Sequence, residues 1–147
     1  MPAHSHPLTM SENDIRNLTS PQSYARGEEY YEAGFVHSLI RRGNLLTASV
    51  SGSAARPYQV AITFDGDEFV SATCDCPYDW GDYCKHIVAA LLAATRESEQ
   101  LEERPSVDVL LADLDRDTLL KLLRDIMAHH PDLVTWLEAQ LALPKPF

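Results

Sequence analysis

Cys74-Asp75-Cys76 and Cys84-Lys85-His86 lie within thirteen residues, and these three cysteines are the only ones in the 147-residue chain. Three thiolates and an imidazole supply the four ligands that a closed tetrahedral zinc site requires, with sulfurs about 2.3 Å and nitrogen about 2.0–2.1 Å from the ion. Residues two apart on a strand point to the same side, so Cys74 and Cys76 can face one ion while Asp75 turns away. On a regular helix, residues two apart do not face each other. Cys84 must therefore lie at or before a helix start and His86 in its first turn. Gly81-Asp82 offers the chain reversal between the pairs. A helix N-terminus also favours negative charge and so helps hold Cys84 as a thiolate.

With Cys74, Cys76, Cys84 and His86 all bound to one Zn2+, no position stays open for water or substrate. That argues for a structural ion and against hydrolytic chemistry. Structural zinc contributes about 10–16 kcal/mol in finger peptides, against about 5–15 kcal/mol for the stability of a whole domain. Loss of the ion is thus expected to unfold at least the finger and its helix. Two rival readings are reduced core cysteines beside an incidental histidine, and a redox pair in which Cys-x-Cys forms a strained disulfide.

The elements that must position these residues follow from periodicity. Ser20-Pro21 reads as an N-cap followed by proline at the first helical position, with Gly34 as the stop. Phe35–Arg41 and Leu45–Val50 flank the two-residue turn Gly43-Asn44. Tyr58, Val60, Ile62 and Phe64 alternate with polar or small residues; Asp65-Gly66 follows as a hairpin signal, and Phe69–Thr73 returns. The predicted fold is α+β: an N-terminal helix, a four-stranded antiparallel meander, a zinc knuckle leading into a helix, and a C-terminal helical tail. The knuckle helix carries Ile87, Val88, Leu91, Leu92 and Thr95 and gives way to polar residues before Pro105. The expected divisions are a flexible N-terminus over 1–18, the zinc-binding domain over 19–104 and the leucine-rich tail over 105–147. In that tail Ser106 and Asp115 are candidate N-caps, and Pro131 opens the last helix.

At this point the residues resemble the SWIM zinc finger, whose pattern is Cys-x-Cys, a variable gap, then Cys-x-His. It stands here as CDCPYDWGDYCKH running into IVAALLAA, and YARGEEYYEAGFVHSLIRRGNLLTASVSGS upstream is similar to bacterial members. The resemblance runs from about Ser20 to Thr95 and implies ligands at Cys74, Cys76, Cys84 and His86. The family occurs beside chromatin-remodelling-type ATPases and in transposase-related and ubiquitin-pathway proteins. It therefore implies a role in binding protein, such as an ATPase or a chromatin- or transcription-type complex, or in binding DNA. This chain shows no P-loop sequence of its own.

Charge weighs between those two partners. The net charge is −10, whereas phosphate contacts dominate nucleic-acid affinity and call for basic surface. Residues 74–86 contain Asp75, Asp79 and Asp82 against Lys85 alone, and three thiolates outweigh Zn2+ by one further negative charge. Arg41, Arg42, Arg56 and Lys85, with Tyr58, Tyr78, Trp80 and Tyr83, are the candidate basic–aromatic surface for nucleic acid. The same aromatics suit a protein contact or a cover over the ion.

The expectation is a protein-interaction module, with nucleic-acid binding as the alternative and no catalytic residues. Asp113, Asp115 and Asp117 read as a solvated helix start, and His129-His130 as a helix end. His4 and His6 read as part of a solvated tail, and His37 has no evident partner. No apolar run approaches the about 18 residues that cross a bilayer. The N-terminal residues carry no secretory pattern, and metal-like cysteine spacing points to a reducing cytoplasm.

Overall fold

A computed structural model describes residues 10–77 and 83–142. The chain divides into two compact units, Met1–Ser106 and Val107–Phe147.

In the first unit, α1 (Glu12–Leu18) opens with a capping box: Ser11 Oγ accepts from the Asp14 N–H, and Asp14 accepts from the Ser11 N–H. Reciprocal bonds of this kind satisfy two donors that a helix start leaves open. Ile15 on this helix is wholly buried, so the expectation of a flexible segment over residues 1–18 is corrected for 11–18. The local signal, Ser-x-x-Asp, was present; one buried isoleucine among polar residues gave no periodicity to support it. His4 and His6 lie outside the described residues.

Helix α2 (Pro21–Glu32) is capped by Ser20, with proline at its first position, and Gly34 follows at φ +78°. Strands β1 (Val36–Arg42), β2 (Leu45–Val50), β3 (Tyr58–Asp65) and β4 (Glu68–Cys74) form the antiparallel meander. Gly43 and Gly66 turn the two hairpins at φ +61° and +62°, a region that costs glycine little. The second turn is Gly66-Asp67, one residue later than expected, because Asp65 still pairs with Glu68.

A fifth strand, β5 (Glu102–Glu103), lies parallel to β1, giving the order β4-β3-β2-β1-β5. The sheet is therefore five-stranded and mixed, not the four-stranded meander alone. Two consecutive glutamates carry no alternation that a sequence could reveal; the backbone fixes them. The Arg104 N–H donates to the Arg41 carbonyl at 2.9 Å, and Arg42 Nη1 donates to the Pro105 carbonyl at 2.8 Å.

Helix α3 (Lys85–Arg96) is the centre of the unit. Every residue from His86 to Ala94 is buried, as expected of a helix covered on all sides. It packs on the sheet and on α2, where its alanines and Gly27 of α2 permit close approach. A Cβ on Gly27 would stand 2.4 Å from Val88 Cγ1. Against α3, the sheet presents Leu46, Ala48 and Val50 of β2 and Val60, Ile62 and Phe64 of β3. At the far end of α3, Arg96 reaches Glu12 of α1 at 2.7 Å and Glu28 of α2 at 2.6 Å.

The second unit consists of α4 (Val107–Leu111), α5 (Arg116–His129) and α6 (Asp132–Leu141). Asp115 caps α5 by accepting from the Thr118 N–H at 2.8 Å. His129 is the last residue of α5, and its Nδ1 pairs with the Asp125 carbonyl at 2.8 Å. None of the three helices has a buried residue. Among the described residues, no helix is long and apolar enough to cross a membrane.

Candidate metal centre

Three elements converge on the cysteines. Cys74 is the last residue of β4 and pairs with Val60 of β3, which points its sulfur toward the core side. Asp75 faces the other way and is locked there. Its carboxylate accepts from the Gln59 N–H at 2.9 Å, and its own N–H donates to the Gln59 carbonyl at 3.3 Å. Cys76 follows, half-buried like Cys74, while Cys84 and His86 are buried.

Cys84 is the N-cap of α3, with extended backbone (φ −77°, ψ 168°), and His86 is the second helical residue. This is the departure from helical geometry that allows residues two apart to converge. Tyr83 anchors the approach to the helix: Thr19 Oγ1 donates to its carbonyl at 2.7 Å, and its ring meets Phe69 edge-on at 5.4 Å. Gly81-Asp82, expected to reverse the chain, lies outside the described residues, as do Tyr78, Asp79 and Trp80.

The ligand atoms of Cys74, Cys76, Cys84 and His86 all lie within 4.8 Å of one another. His86 presents Nδ1, which is 3.8 Å from the sulfurs of both Cys74 and Cys84. In a regular tetrahedron with the zinc bond lengths, nitrogen and sulfur stand about 3.6 Å apart and two sulfurs about 3.8 Å. The two nitrogen–sulfur distances thus match a tetrahedral site to within about 0.2 Å, and the soft donors suit zinc. Within the cluster the thiols are not equivalent. Hydrogen bonding from Cys74 lowers the Cys84 thiol to about 4, aided by His86 and the Ile87 N–H at the helix start, against the cost of burial. The same pairing, with burial, pushes the Cys74 thiol up. A metal ion must displace the protons that remain.

Residues 58–94 match the family model of the SWIM zinc finger. The chain carries a SWIM zinc finger. The matched span begins at the first residue of β3 and ends two residues before the end of α3, so the SWIM finger comprises one hairpin, the knuckle and the buried helix. No solved structure matches the chain.

The basic–aromatic surface expected from sequence is dispersed. Arg41 sits over the Phe64 ring and donates to the carbonyls of Gly43 and Gly66 at 3.0 Å. Arg42 is bound to Pro105. Tyr58 packs its ring against His86, and Tyr83 meets Phe69 edge-on, so both rings are partly taken up by contacts within the fold. Lys85 lies over the Tyr30 ring, 4.9 Å from its centroid.

Beside the SWIM finger, however, is a cavity of about 270 Å³ lined by Arg26 and Lys85 together with Ser23, Ser53, Tyr58 and three of the candidate ligands, Cys76, Cys84 and His86. Arg26, from α2, is a cation that sequence reading missed, because nothing local ties a helix residue to cysteines some fifty positions away. With Lys85 it would more than offset the single negative charge that a tri-thiolate site would carry with a divalent ion bound.

Proposed function

We propose that the chain binds one structural zinc ion through Cys74, Cys76, Cys84 and His86 and serves as a protein-interaction module. Four protein ligands leave the ion no open position, so we read the protein as a non-enzyme. The observation that carries the interaction reading is the distribution of apolar surface. Of twelve exposed large apolar side chains among the described residues, ten belong to Val107–Leu141, including Leu122, Leu123, Ile126 and Trp136. Exposed apolar side chains concentrated in one segment are characteristic of protein contacts. The net charge of −10 opposes a phosphate-rich partner. An ATPase or a chromatin- or transcription-type complex is the kind of partner the SWIM resemblance suggests, in a reducing cytoplasm where thiolates persist.

A second reading, nucleic-acid binding, draws support from Arg26 and Lys85 at the cavity beside the finger. DNA binding measured across salt separates the two. The interaction reading expects no measurable complex with duplex or single-stranded DNA at about 0.15 M salt. Tight binding there, falling with a log–log slope near −0.9 per phosphate neutralised on duplex DNA, would favour the second reading. Metal analysis of protein purified without added zinc is expected to find one zinc per chain.

A further inference from the structure

A metal-bound histidine ordinarily donates its second ring N–H to a carboxylate, carbonyl or water, and that bond fixes the ring. His86 departs from this pattern. Its Nδ1 faces the sulfurs, while Nε2 is buried and has no hydrogen-bond partner among the described residues. Aromatic rings surround it instead. Tyr58 lies over the imidazole with centroids 4.4 Å apart and planes at 41°, and Tyr30 meets it edge-on at 5.6 Å.

Tyr58 is itself held by the chain opposite. It pairs with Val50 at the end of the β2–β3 register, and two residues beyond Val50 the backbone at Gly52 runs directly against both rings. A Cβ there would lie 2.4 Å from Tyr58 Cε2 and 3.0 Å from His86 Nε2. Gly52 is not among the glycines with positive φ, so its backbone would accept alanine. Space alone excludes a side chain.

We infer that Tyr58, seated against the bare backbone of Gly52, is the positioning residue that orients His86 toward the metal, ring contact replacing the usual hydrogen bond. This role rests on the proposal that the cluster binds an ion. The hydroxyl of Tyr58 takes no part in it; the ring does.

The test uses the full chain and two probes, Zn(II) affinity by chelator competition and the visible d–d bands of the Co(II)-loaded protein. Gly52→Ala and Tyr58→Leu are expected to weaken Zn(II) binding about 10- to 100-fold, the usual range for a lost outer partner, and to alter the Co(II) bands. Tyr58→Phe is expected to keep both within about twofold of the parent. A purely structural role would lower stability while leaving the Co(II) bands of the folded protein unchanged, and that result overturns the inference. So would equal loss in Tyr58→Phe and Tyr58→Leu, which would assign the effect to the hydroxyl. Should Tyr58→Leu fail to fold, Tyr58→Met, which keeps bulk without an aromatic ring, decides in its place, because a Cβ at Gly52 would press on His86 Nε2 as well as on Tyr58. Failure of the parent chain itself to bind either ion would instead remove the metal-binding proposal.

Discussion

The two units of this chain both contain amphipathic helices, yet they are built by different rules. In Met1–Ser106, α3 is buried over nine consecutive residues, and the largest fully buried side chains of the described protein, from Ile15 to Leu92, all belong to this unit. In Val107–Phe147, α5 has a well-formed N-cap and an apolar stripe of Leu119, Leu122, Leu123 and Ile126, but no helix buries a residue. Capping and periodicity are local and suffice to specify a helix. Burial is not local, and helical hairpins of this size rarely enclose a core of their own. The first unit adds to its core a set of four ligands that a single ion can clamp; among its described residues the second has neither.

The largest expected effect tests the clamp. Cys84→Ser removes the thiolate that joins the β-ribbon to the start of α3. A third of the about 10–16 kcal/mol contributed by structural zinc, at about 4–8 °C per kcal/mol, lowers Tm by more than about 10 °C. His130→Ala, in the second unit, is expected to leave both Tm and zinc content unchanged. Thermal melts with parallel metal analysis check both variants; metal release from His130→Ala would place a ligand outside the finger and erase the contrast between the units.

An intermediate effect tests the core without touching the ligands. Leu91 is 1% exposed between the sheet and α2. Leu91→Ala should cost about 2–5 kcal/mol, the lost transfer energy plus the cavity left behind. It should do so in the zinc-loaded protein, with zinc content unchanged. Urea unfolding gives the number, and a loss below about 1 kcal/mol would mean that the ion, not packing, holds α3 in place.

Much of this arrangement was legible in the residues. Ser20-Pro21, Gly34 and Gly43-Asn44 mark boundaries by local chemistry, and the alternation through Tyr58–Phe64 gives β3 its inward face. The spacing Cys-x-Cys and Cys-x-His allowed only one convergent geometry, a strand end meeting a helix cap, and the structure brings those four side chains together in that way. What stayed hidden depends on contacts between distant positions. Glu102 and Glu103 become a strand because β1 leaves an unpaired edge, and their own side chains say nothing about it. Tyr58 read both as part of the half-buried face of β3 and as a candidate nucleic-acid contact, since only the fold reveals that its ring packs against Gly52 and His86. Arg41 looked available for phosphate; in the fold it is bound to two turn carbonyls and covers Phe64.

The smallest effect bears most directly on function. Leu123, 48% exposed on α5, is the counterpart of Leu91 in residue type and helical setting, so the pair isolates burial as the variable. In the isolated chain Leu123→Ala removes side-chain surface that water already reaches, and its stability change should stay within about 0.5 kcal/mol. Urea unfolding of the two variants under one set of conditions makes the comparison. A loss of about 2 kcal/mol or more for Leu123→Ala would show that this side chain is covered in solution. The apolar stripe would then be satisfied before any partner arrives, and the interaction reading would lose the surface on which it stands. A negligible loss keeps that surface open, which a docking face requires: its apolar area must still be facing water when the partner is met.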